Sequence, residues 1–353
     1  MTRMDTQEPS PAGSPVMTMS GAGRATFDIA LRLGGLFIAI VLVGALFVSL
    51  NSAFLNIDVL VSVLRSMSSV AIMGLGLTLV IVAGEIDLSF GAMYGLAANS
   101  LAVVWILGGV PVWLAIPLAL LIGGLVGLAN GALVTWLAIP SFIVTLGSYN
   151  LLFGLSLWIT GASTFNPVYP PPHHDIPAAQ LDFFTGLSAS FGTHPISIEV
   201  FWMLGLAIVV GLLLHRSLFG FRLLAIGGNP TAARLARLPV GRYKITAFVL
   251  SGVLAATAGI LDFAFIQTTQ PDIGLSQTFP VFAAVIIGGA SLSGGKGTVI
   301  GTIGGALLLA ELQIGLALLS PGPHVQQIFL GAVTIGAVAL DLGLTKLRTR
   351  RAR

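Results

Sequence analysis

The chain has 353 residues, of which 56% are hydrophobic and 8% are charged, with 44 glycines and no cysteine. Its mean hydropathy of +0.99 lies far outside the range of soluble domains, in which about a quarter of the residues are charged. This composition excludes a soluble globular protein, and the lack of cysteine excludes disulfides and thiolate metal sites. The net charge of +3 comes from basic residues in loops beside apolar segments, as expected from a positive-inside bias.

The first segment, residues 1–28, is rich in Ser, Pro, Gly, Met and Thr and is predicted to be a disordered cytoplasmic tail. An apolar run begins near Ile29 and continues to Leu50. This run is too long for the apolar region of a signal peptide. We therefore predict a first membrane span whose N-terminal end is inside the cell.

Nine further apolar runs follow, which gives about ten spans of ~20 residues each. Continuous runs indicate helices, because a β-barrel would alternate polar and apolar residues in short segments. The predicted fold class is an all-α polytopic membrane protein, with a transmembrane domain over residues 29–345. The nine runs are 59–83, 88–107, 112–137, 141–160, 198–214, 245–266, 278–290, 298–319 and 326–342.

The segments between the runs differ in charge, which predicts the side of the membrane that each faces. Residues 216–244 contain basic residues and no acid, and residues 346–353 form a basic tail, so both are predicted to be cytoplasmic. The Pro-rich loop 161–198 contains acids but no Lys or Arg and is predicted to be periplasmic. Arg65 lies near the outer end of the second span, and we expect its side chain to snorkel to the interface.

Two spans share a glycine pattern. The string "GGLVGLANGAL" places glycines at 123, 127 and 131, and "GTVIGTIGGAL" places them at 297, 301 and 305, each before Ala-Leu. In the predicted topology these spans run in opposite directions, which indicates an inverted repeat of the halves 59–160 and 245–342, a transporter architecture. A chance match between glycine-rich helices is the alternative. In either case the glycines give a smooth face for close helix packing.

The stretch "IVAGEIDLSFGAMYG", residues 81–95, carries two acids, Glu85 and Asp87, between long apolar runs. A charge near the bilayer centre costs roughly 2.5–3.5 kcal/mol on insertion scales, so such groups pair, face a cavity or lie at the interface. Three interpretations stay open. Asp87 or Ser89 caps the next helix in a simple turn, a broken helix exposes polar groups to a substrate path, or a carboxylate couples transport to protons.

The string "GGASLSGGKGT", residues 288–298, is similar to a phosphate-binding loop but departs from it twice. Ala290 replaces its first glycine, and Gly297 replaces the Ser or Thr that binds magnesium. Since both flanking segments are predicted spans, we expect a tight cytoplasmic hairpin. The histidines at 173, 174 and 194 lie in a loop predicted to be external, and no metal site is predicted from them.

The string "GGNPTAARLARLPVGRYK", residues 227–244, predicts a short helix from Pro230 to Leu238. Asn229 can cap its N-terminus, proline suits its first turn, and Pro239 ends it. Such a helix is too short to be stable alone in water. It therefore needs a surface to dock on through Leu235 and Leu238, or it lies on lipid headgroups.

Several ordered motifs resemble one family. From about Leu60 to Asp341 the chain resembles the permease subunits of bacterial ATP-binding-cassette (ABC) importers for ribose and related simple sugars, in the branched-chain amino acid/ribose-type permease family. Glu85 and Arg237 depart from the pattern, because both stand where the family usually has glycine. The motifs are "GEIDLSFG", "IPSFIVTLG" at 139–147, "GGNPTAARLARLPV", "TTQPDIG" at 268–274 and "VIIGGASLSGGKGTVIGTIGGAL".

The resemblance implies a non-catalytic, multi-pass subunit of the bacterial inner membrane with both termini cytoplasmic. Its partners would be a second permease copy or paralogue, two cytoplasmic ATP-binding subunits, which bind the ATP, and a periplasmic sugar-binding protein. The chain itself would need no cofactor. The short helix in segment 216–244 would be the coupling helix that fits a groove on the ATPase. Its coupling residues would be Asn229, Pro230, Ala232, Ala233, Arg234, Leu235, Arg237 and Leu238.

A neutral sugar needs hydrogen-bond partners along its path instead of a fixed charge. Polar residues in or beside the spans are therefore candidates, although hydrogen bonds between helices are the alternative role for each of them. The rival function is a proton-coupled secondary transporter that uses Glu85 or Asp87, whereas a passive channel would need rings of charge or filter loops. The candidates for the path and its turn are Glu85, Asp87, Ser89, Asn99, Asn130, Asn150, Gln267 and Gln270.

Overall fold

The computed structural model describes residues 21–191, 196–319, 322, 324–336 and 339, and side-chain environments from residue 33 onward. Within this part of the chain the fold is all-α apart from one small hairpin, β1 (Ser190–Phe191) with β2 (Ile196–Ser197). The helices are α1 (Gly21–Leu50), α2 (Ile57–Val82), α3 (Phe90–Ala102, continued by a π-helical turn at Val103–Leu107), α4 (Val112–Trp136), α5 (Ser141–Thr160), α6 (Ala178–Gly186), α7 (Ile198–Arg216), α8 (Leu218–Gly228), α9 (Pro230–Leu235), α10 (Val240–Ile266), α11 (Thr278–Ile287), α12 (Val299–Leu319) and α13 (324–336).

The predicted all-α polytopic fold is confirmed. Among the described residues eight helices are long and apolar enough to cross a membrane. The other two predicted spans correspond to the shorter helices α11 and α13. The prediction was accurate for α5, which begins and ends at the predicted residues 141 and 160.

Three segments differ from the prediction. Helix α1 begins at Gly21, so residues 21–28, predicted as disordered tail, are helical. The stretch contains no proline, and its alanines and arginine favour helix. Loop 161–198 contains α6 and the hairpin, and loop 216–244 contains α8 as well as α9. The predicted tails at 1–20 and 346–353 lie outside the described residues.

Neighbouring residue pairs give the directions of the long helices. Arg65 lies beside Asp262 whereas Gly76 lies against Ser251, so α2 and α10 are antiparallel. By the same comparison α2 is antiparallel to α12, and α4 is antiparallel to α10. The first half therefore runs opposite to the second, as an inverted repeat requires. The other pairs are Ser66–Gln313 and Thr78–Thr302 for α2 with α12, and Gly123–Gly252 and Gly131–Ile245 for α4 with α10.

Each half is interrupted at the same place, after its first long helix. The first break, residues 83–89, separates α2 from α3, and the second break, residues 267–277, separates α10 from α11. We call the end of the molecule that carries α9 the α9 end, and the opposite end the α6 end. The first break starts at the α9 end, where Gly84 lies against Gly227.

The two breaks converge inside the helix bundle. Asp87 accepts a hydrogen bond from Ser251, which lies eleven residues into α10, or about 16 Å along the helix axis at 1.5 Å per residue. This depth is about half of a ~30 Å hydrocarbon layer. The second break descends from the α6 end until Gly274 lies against Gly91, in the first turn of α3. Helix α3 thus begins close to the middle of the bundle, where both breaks meet.

Candidate functional site

A groove of about 960 Å³ opens where the two breaks meet, between α5, α11, α13 and Ala339. Its size is that of ligand-binding pockets. The first break contributes Ile86 and Leu88, and the second contributes Leu275 and Ser276. Most of the lining is apolar, and among the described residues no charged side chain lines the groove. The polar groups in the lining are Tyr149, Ser276, Gln327 and Thr334.

Extended backbone is tolerated at membrane depth only where protein groups satisfy its hydrogen bonds. In the first break these groups come from the start of α5. The Ile86 backbone N–H donates to Ser141 Oγ at 3.1 Å, and the Ile86 carbonyl accepts from Thr145 Oγ1 at 3.3 Å. In both bonds the partner on α5 is a side chain, so α5 satisfies the backbone of the break without becoming part of it.

Asp87 is fully buried and belongs to a polar network behind the groove. Its Oδ1 accepts from the Ser89 backbone N–H at 2.8 Å and from Ser89 Oγ at 2.6 Å, and its Oδ2 accepts from Ser251 Oγ at 3.2 Å. Asn130 Nδ2 donates to Ser89 Oγ, and Ser148 Oγ donates to Asn130 Oδ1. Asp87 thus closes a turn just before α3, and the N-cap residue Ser89 makes no side-chain capping hydrogen bond. The network ties this turn to α4, α5 and α10, so the structure favours a structural turn and not a side-chain cap.

The remaining polar candidates also bond within the protein. Asn99 Oδ1 accepts from Thr269 Oγ1 at 2.7 Å, and Asn99 Nδ2 donates to the Gln270 carbonyl at 3.1 Å. These bonds hold the second break against α3. Gln267 ends α10 in a left-handed conformation, and Asn150 is exposed and donates to the backbone of its own helix. None of the eight predicted path residues is among the groove lining.

Glu85 has a partner that its sequence position does not indicate. Its carboxylate forms an ion pair with the ammonium group of Lys244, in the second turn of α10. The side chains of Glu85 and Lys244 are only 13% and 15% exposed. The partners lie 159 positions apart, so no local pattern could have predicted the pair.

Helix α9 has the predicted N-terminal cap but ends three residues early. Asn229 Oδ1 accepts from the Ala232 backbone N–H at 2.9 Å, and Pro230 occupies the first turn. The helix stops at Leu235, and Arg237 follows with a φ of +58°. The Leu238 N–H then donates back to the Ala233 carbonyl at 3.0 Å. This is the geometry of a Schellman-type C-terminus, in which glycine is preferred at the left-handed position.

The early end divides the predicted apolar pair. Leu235 projects outward and is 83% exposed. Leu238 folds back into a small cluster around Ile226, Ala233 and Val240. Leu238 and the buried Ala233 therefore support α9 from behind, whereas the outer face carries Leu235. The other predicted coupling residues on the exposed side are Asn229, Pro230, Ala232, Arg234 and Arg237.

Arg65 has partners that its sequence position does not indicate. Its guanidinium group pairs with Asp262 at 3.2 Å and Glu199 at 3.6 Å. It also lies over the ring of Phe265, 3.9 Å from the ring centre. These charge-assisted contacts join α2 to α7 and α10, while snorkelling of Arg65 to the interface stays a prediction. Among the described residues no group of three or more metal-ligating side chains is present, and His194 lies outside them.

Residues 59–338 match the family model described as the permease component of the branched-chain amino acid transport system. The chain belongs to this family. One relative is the autoinducer 2 import system permease protein of Yersinia enterocolitica. The chain is 33% identical to it over 292 residues, which cover 81% of the chain and 84% of the relative.

Two further relatives extend the comparison to permease proteins named for sugars. The galactose/methyl galactoside import permease protein of Escherichia coli is 30% identical over 334 residues, which cover 92% of this permease and 98% of the relative. The ribose import permease protein of Haemophilus influenzae is 33% identical over 316 residues, which cover 88% and 94%. Both breaks, α9 and the groove lining except Ala339 lie within residues 59–338, the range that the family model matches.

Proposed function

We propose that the chain is the permease subunit of an ATP-driven importer that carries a simple sugar, or a similar neutral polyol, across the bacterial inner membrane. The relatives are named as import permeases for ribose, galactose or autoinducer 2. The groove provides the path, and the chain itself does no chemistry and needs no cofactor. ATP is bound and hydrolysed by separate ATP-binding subunits.

The observation that carries this proposal is helix α9. It is a capped, outward-facing helix of six residues whose Leu235 side chain is 83% exposed. A helix this short gains its stability from what it packs against, and an exposed leucine at its C-terminal end indicates a partner surface. An ATP-binding subunit supplies that surface, which makes α9 the coupling helix.

The charge distribution supports an orientation with the α9 end in the cytoplasm. The elements at the α9 end carry the excess of arginine and lysine, as expected for the inner side of a membrane protein. The α6 end carries Asp58 at the start of α2, Asp175 in a loop and Asp182 in α6, all three exposed. Both termini are then cytoplasmic. The basic residues at the α9 end are Arg216, Arg222, Arg234, Arg237, Arg242, Lys244 and Lys296.

The chemistry of the groove supports a neutral substrate. Its polar groups are hydroxyls and one amide, which can exchange hydrogen bonds with a polyol, and its apolar walls suit the carbon faces of a sugar ring. Glu85 and Asp87 do not line the groove, and each is bound to a protein partner. Proton coupling through either acid therefore has no support from this geometry.

The open side of the groove supports an assembly of two permeases. A second permease copy or paralogue faces it and completes the path, two ATP-binding subunits dock on the α9 helices, and a periplasmic binding protein delivers the sugar at the α6 end. Closure of the ATP-binding subunits moves the α9 helices and alternates the access of the groove between the two sides.

The test compares two exposed leucines at the α9 end. The permease is co-expressed with the ATP-binding subunit and purified in detergent by a tag on the permease. Leu235→Asp should lower the amount of co-purified ATPase at least tenfold, because it places a charge in the centre of the docking face. Leu218→Asp is the matched control, since Leu218 lies on α8 and is also largely exposed, at 72%. Equal recovery with both variants, or no ATPase with the wild type, would reject the proposal.

A further inference from the structure

The ion pair between Glu85 and Lys244 lies between α9 and the groove. On one side it includes Lys244, in the second turn of α10, the helix that follows α9. On the other side it touches the first break next to Ile86, which lines the groove. An exposed surface pair contributes little because water screens it. This pair is largely removed from water, so the two charges hold each other firmly and the loss of one leaves the other uncompensated.

Lys244 is tied to the docking segment by a rigid connection. It follows Tyr243, whose hydroxyl accepts a hydrogen bond from Arg222 of α8 at 2.9 Å. The Tyr243 ring also stacks on Phe219 of α8, with ring centres 5.4 Å apart. Helix α8 leads directly into α9, and α9 returns directly into α10. A displacement of α8 and α9 therefore reaches the turn of α10 that carries Lys244.

Glu85 is tied to the groove by the chain itself. The next residue, Ile86, lies in the groove wall and has both of its backbone groups bonded to α5. Leu88, two residues further on, lies in the same wall. A shift of the Glu85 carboxylate by a few tenths of an ångström therefore has to be taken up by groove residues, because the backbone here is extended and anchored.

A backbone junction keeps the α9 end of this connection in register. The Gly295 backbone N–H donates to the Val82 carbonyl at 2.9 Å. A Cβ on Gly227 would lie 1.8 Å from the Val82 carbonyl oxygen, so the end of α8 touches the end of α2 backbone to backbone. Contact without intervening side chains leaves little slack. The Glu85–Lys244 pair adds a contact between side chains to these backbone contacts.

We propose that the Glu85–Lys244 ion pair is a positioning contact that transmits the movement of the α9 docking segment to the groove wall at Ile86 and Leu88. This inference rests on the proposed function, because it requires an ATP-binding subunit on α9. Loss of the Glu85–Lys244 pair should uncouple the groove from ATP without preventing docking.

The test uses the lack of native cysteine. Leu88→Cys provides one thiol in the groove wall, and its labelling rate with a water-soluble maleimide is measured in the complex with the ATP-binding subunit, with ATP plus vanadate and without nucleotide. Coupling energies between sites correspond to about 5–150-fold changes, so nucleotide should change the rate by about fivefold or more. With Glu85→Gln or Lys244→Gln added, this ratio should fall to about one, while the ATPase stays bound and active.

The exchanged pair, Glu85→Lys with Lys244→Glu, should restore the nucleotide effect. A double-mutant cycle then gives the interaction energy between the two side chains. Arg242→Gln is the matched control, because it removes an exposed positive charge two residues from Lys244 and should leave the ratio unchanged. If Leu88→Cys does not assemble, Ser276→Cys reports from the same groove with a near-isosteric change.

The outcomes separate the two proposals. A nucleotide effect that survives in Glu85→Gln and Lys244→Gln overturns the positioning role but leaves the proposed function intact. The positioning role is also overturned if both single variants lose the nucleotide effect and the exchanged pair does not restore it. The loss would then not come from the ion pair. A wild-type complex that forms but shows no nucleotide effect, or no complex at all, overturns the proposed function and this inference with it.

Discussion

Two positions show how single residues can depart from a family pattern for different physical reasons. Arg237 occupies a left-handed backbone conformation, with a φ of +58°, which explains why glycine is usual there in the resembling permeases. Glu85 does not have this backbone constraint, since the left-handed residue in that turn is Gly84, with a φ of +79°. Its side chain instead has a specific partner in Lys244. The first departure introduces strain, whereas the second adds an ion pair.

Replacement of Arg237 by glycine should therefore stabilise the protein or leave it unchanged. A non-glycine residue in the left-handed region costs roughly 1 kcal/mol, and the Arg237 side chain is exposed. We expect the midpoint of thermal unfolding in detergent to rise by a degree or more. Arg234→Gly is the control, because Arg234 lies within α9 and glycine disfavours a helix by about 1 kcal/mol. A fall of the midpoint in Arg237→Gly as large as that in Arg234→Gly would contradict the assigned conformation.

At the scale of the elements, the glycine pattern predicted close packing, and both copies pack closely but against different partners. Gly123, Gly127 and Gly131 face α10, whereas Gly301 and Gly305 face α11. The repeat is therefore exact in helix direction but not in every contact. The partner of each glycine face could not be predicted, because several helices of similar composition compete for it.

Gly127→Ala should disrupt the contact of α4 with α10. A Cβ on Gly127 would lie 2.2 Å from the Phe248 carbonyl oxygen and 2.8 Å from Val249 Cα, and both of these atoms belong to helix backbone. Overpacking of this kind costs about 1–3 kcal/mol. Gly147→Ala is the matched control, because no atom lies within 4 Å of a Cβ at that position of α5. Thermal unfolding in detergent should separate the two variants, and equal midpoints would refute the predicted contact.

Hydropathy located the spans because each apolar run is set by the length of the bilayer, as in α5. The N-terminal cap of α9 was predicted because Asn229 and Pro230 act within one turn of the helix. The C-terminal end of α9 was not, since Pro239 suggested a later stop than the left-handed turn at Arg237. The depth of the first break and the groove lining depend on tertiary contacts, such as Asp87 with Ser251, which no local pattern encodes.

At the scale of the whole molecule, the two ends are held by different ion pairs. The α9 end has Glu85 with Lys244, and the α6 end has a cluster in which Asp262 of α10 joins Arg65 and Ser69 of α2 and Tyr94 of α3. This cluster links both halves of the inverted repeat. Glu199 of α7 lies beside it, and neither of its carboxylate oxygens has a hydrogen-bond partner among the described residues.

Neutralisation of Asp262 and neutralisation of Glu199 should have different effects on the stability of the protein. Asp262 accepts hydrogen bonds from Arg65, Ser69 and Tyr94. Asp262→Asn weakens these bonds and leaves Arg65 with Glu199 as its acidic partner, so it should cost about 1–3 kcal/mol. Glu199 is fully buried, 3.6 Å from Arg65, and competes with Asp262 for the single positive charge.

Glu199→Gln removes that competition, keeps the shape of the side chain and should leave stability unchanged or raise it, because one arginine then faces one carboxylate. Thermal unfolding of both variants in detergent, at one pH and salt concentration, makes the comparison. If Glu199→Gln unfolded as readily as Asp262→Asn, Arg65 would depend equally on both acids. The assignment of Asp262 as the residue that joins the two halves at the α6 end would then be wrong.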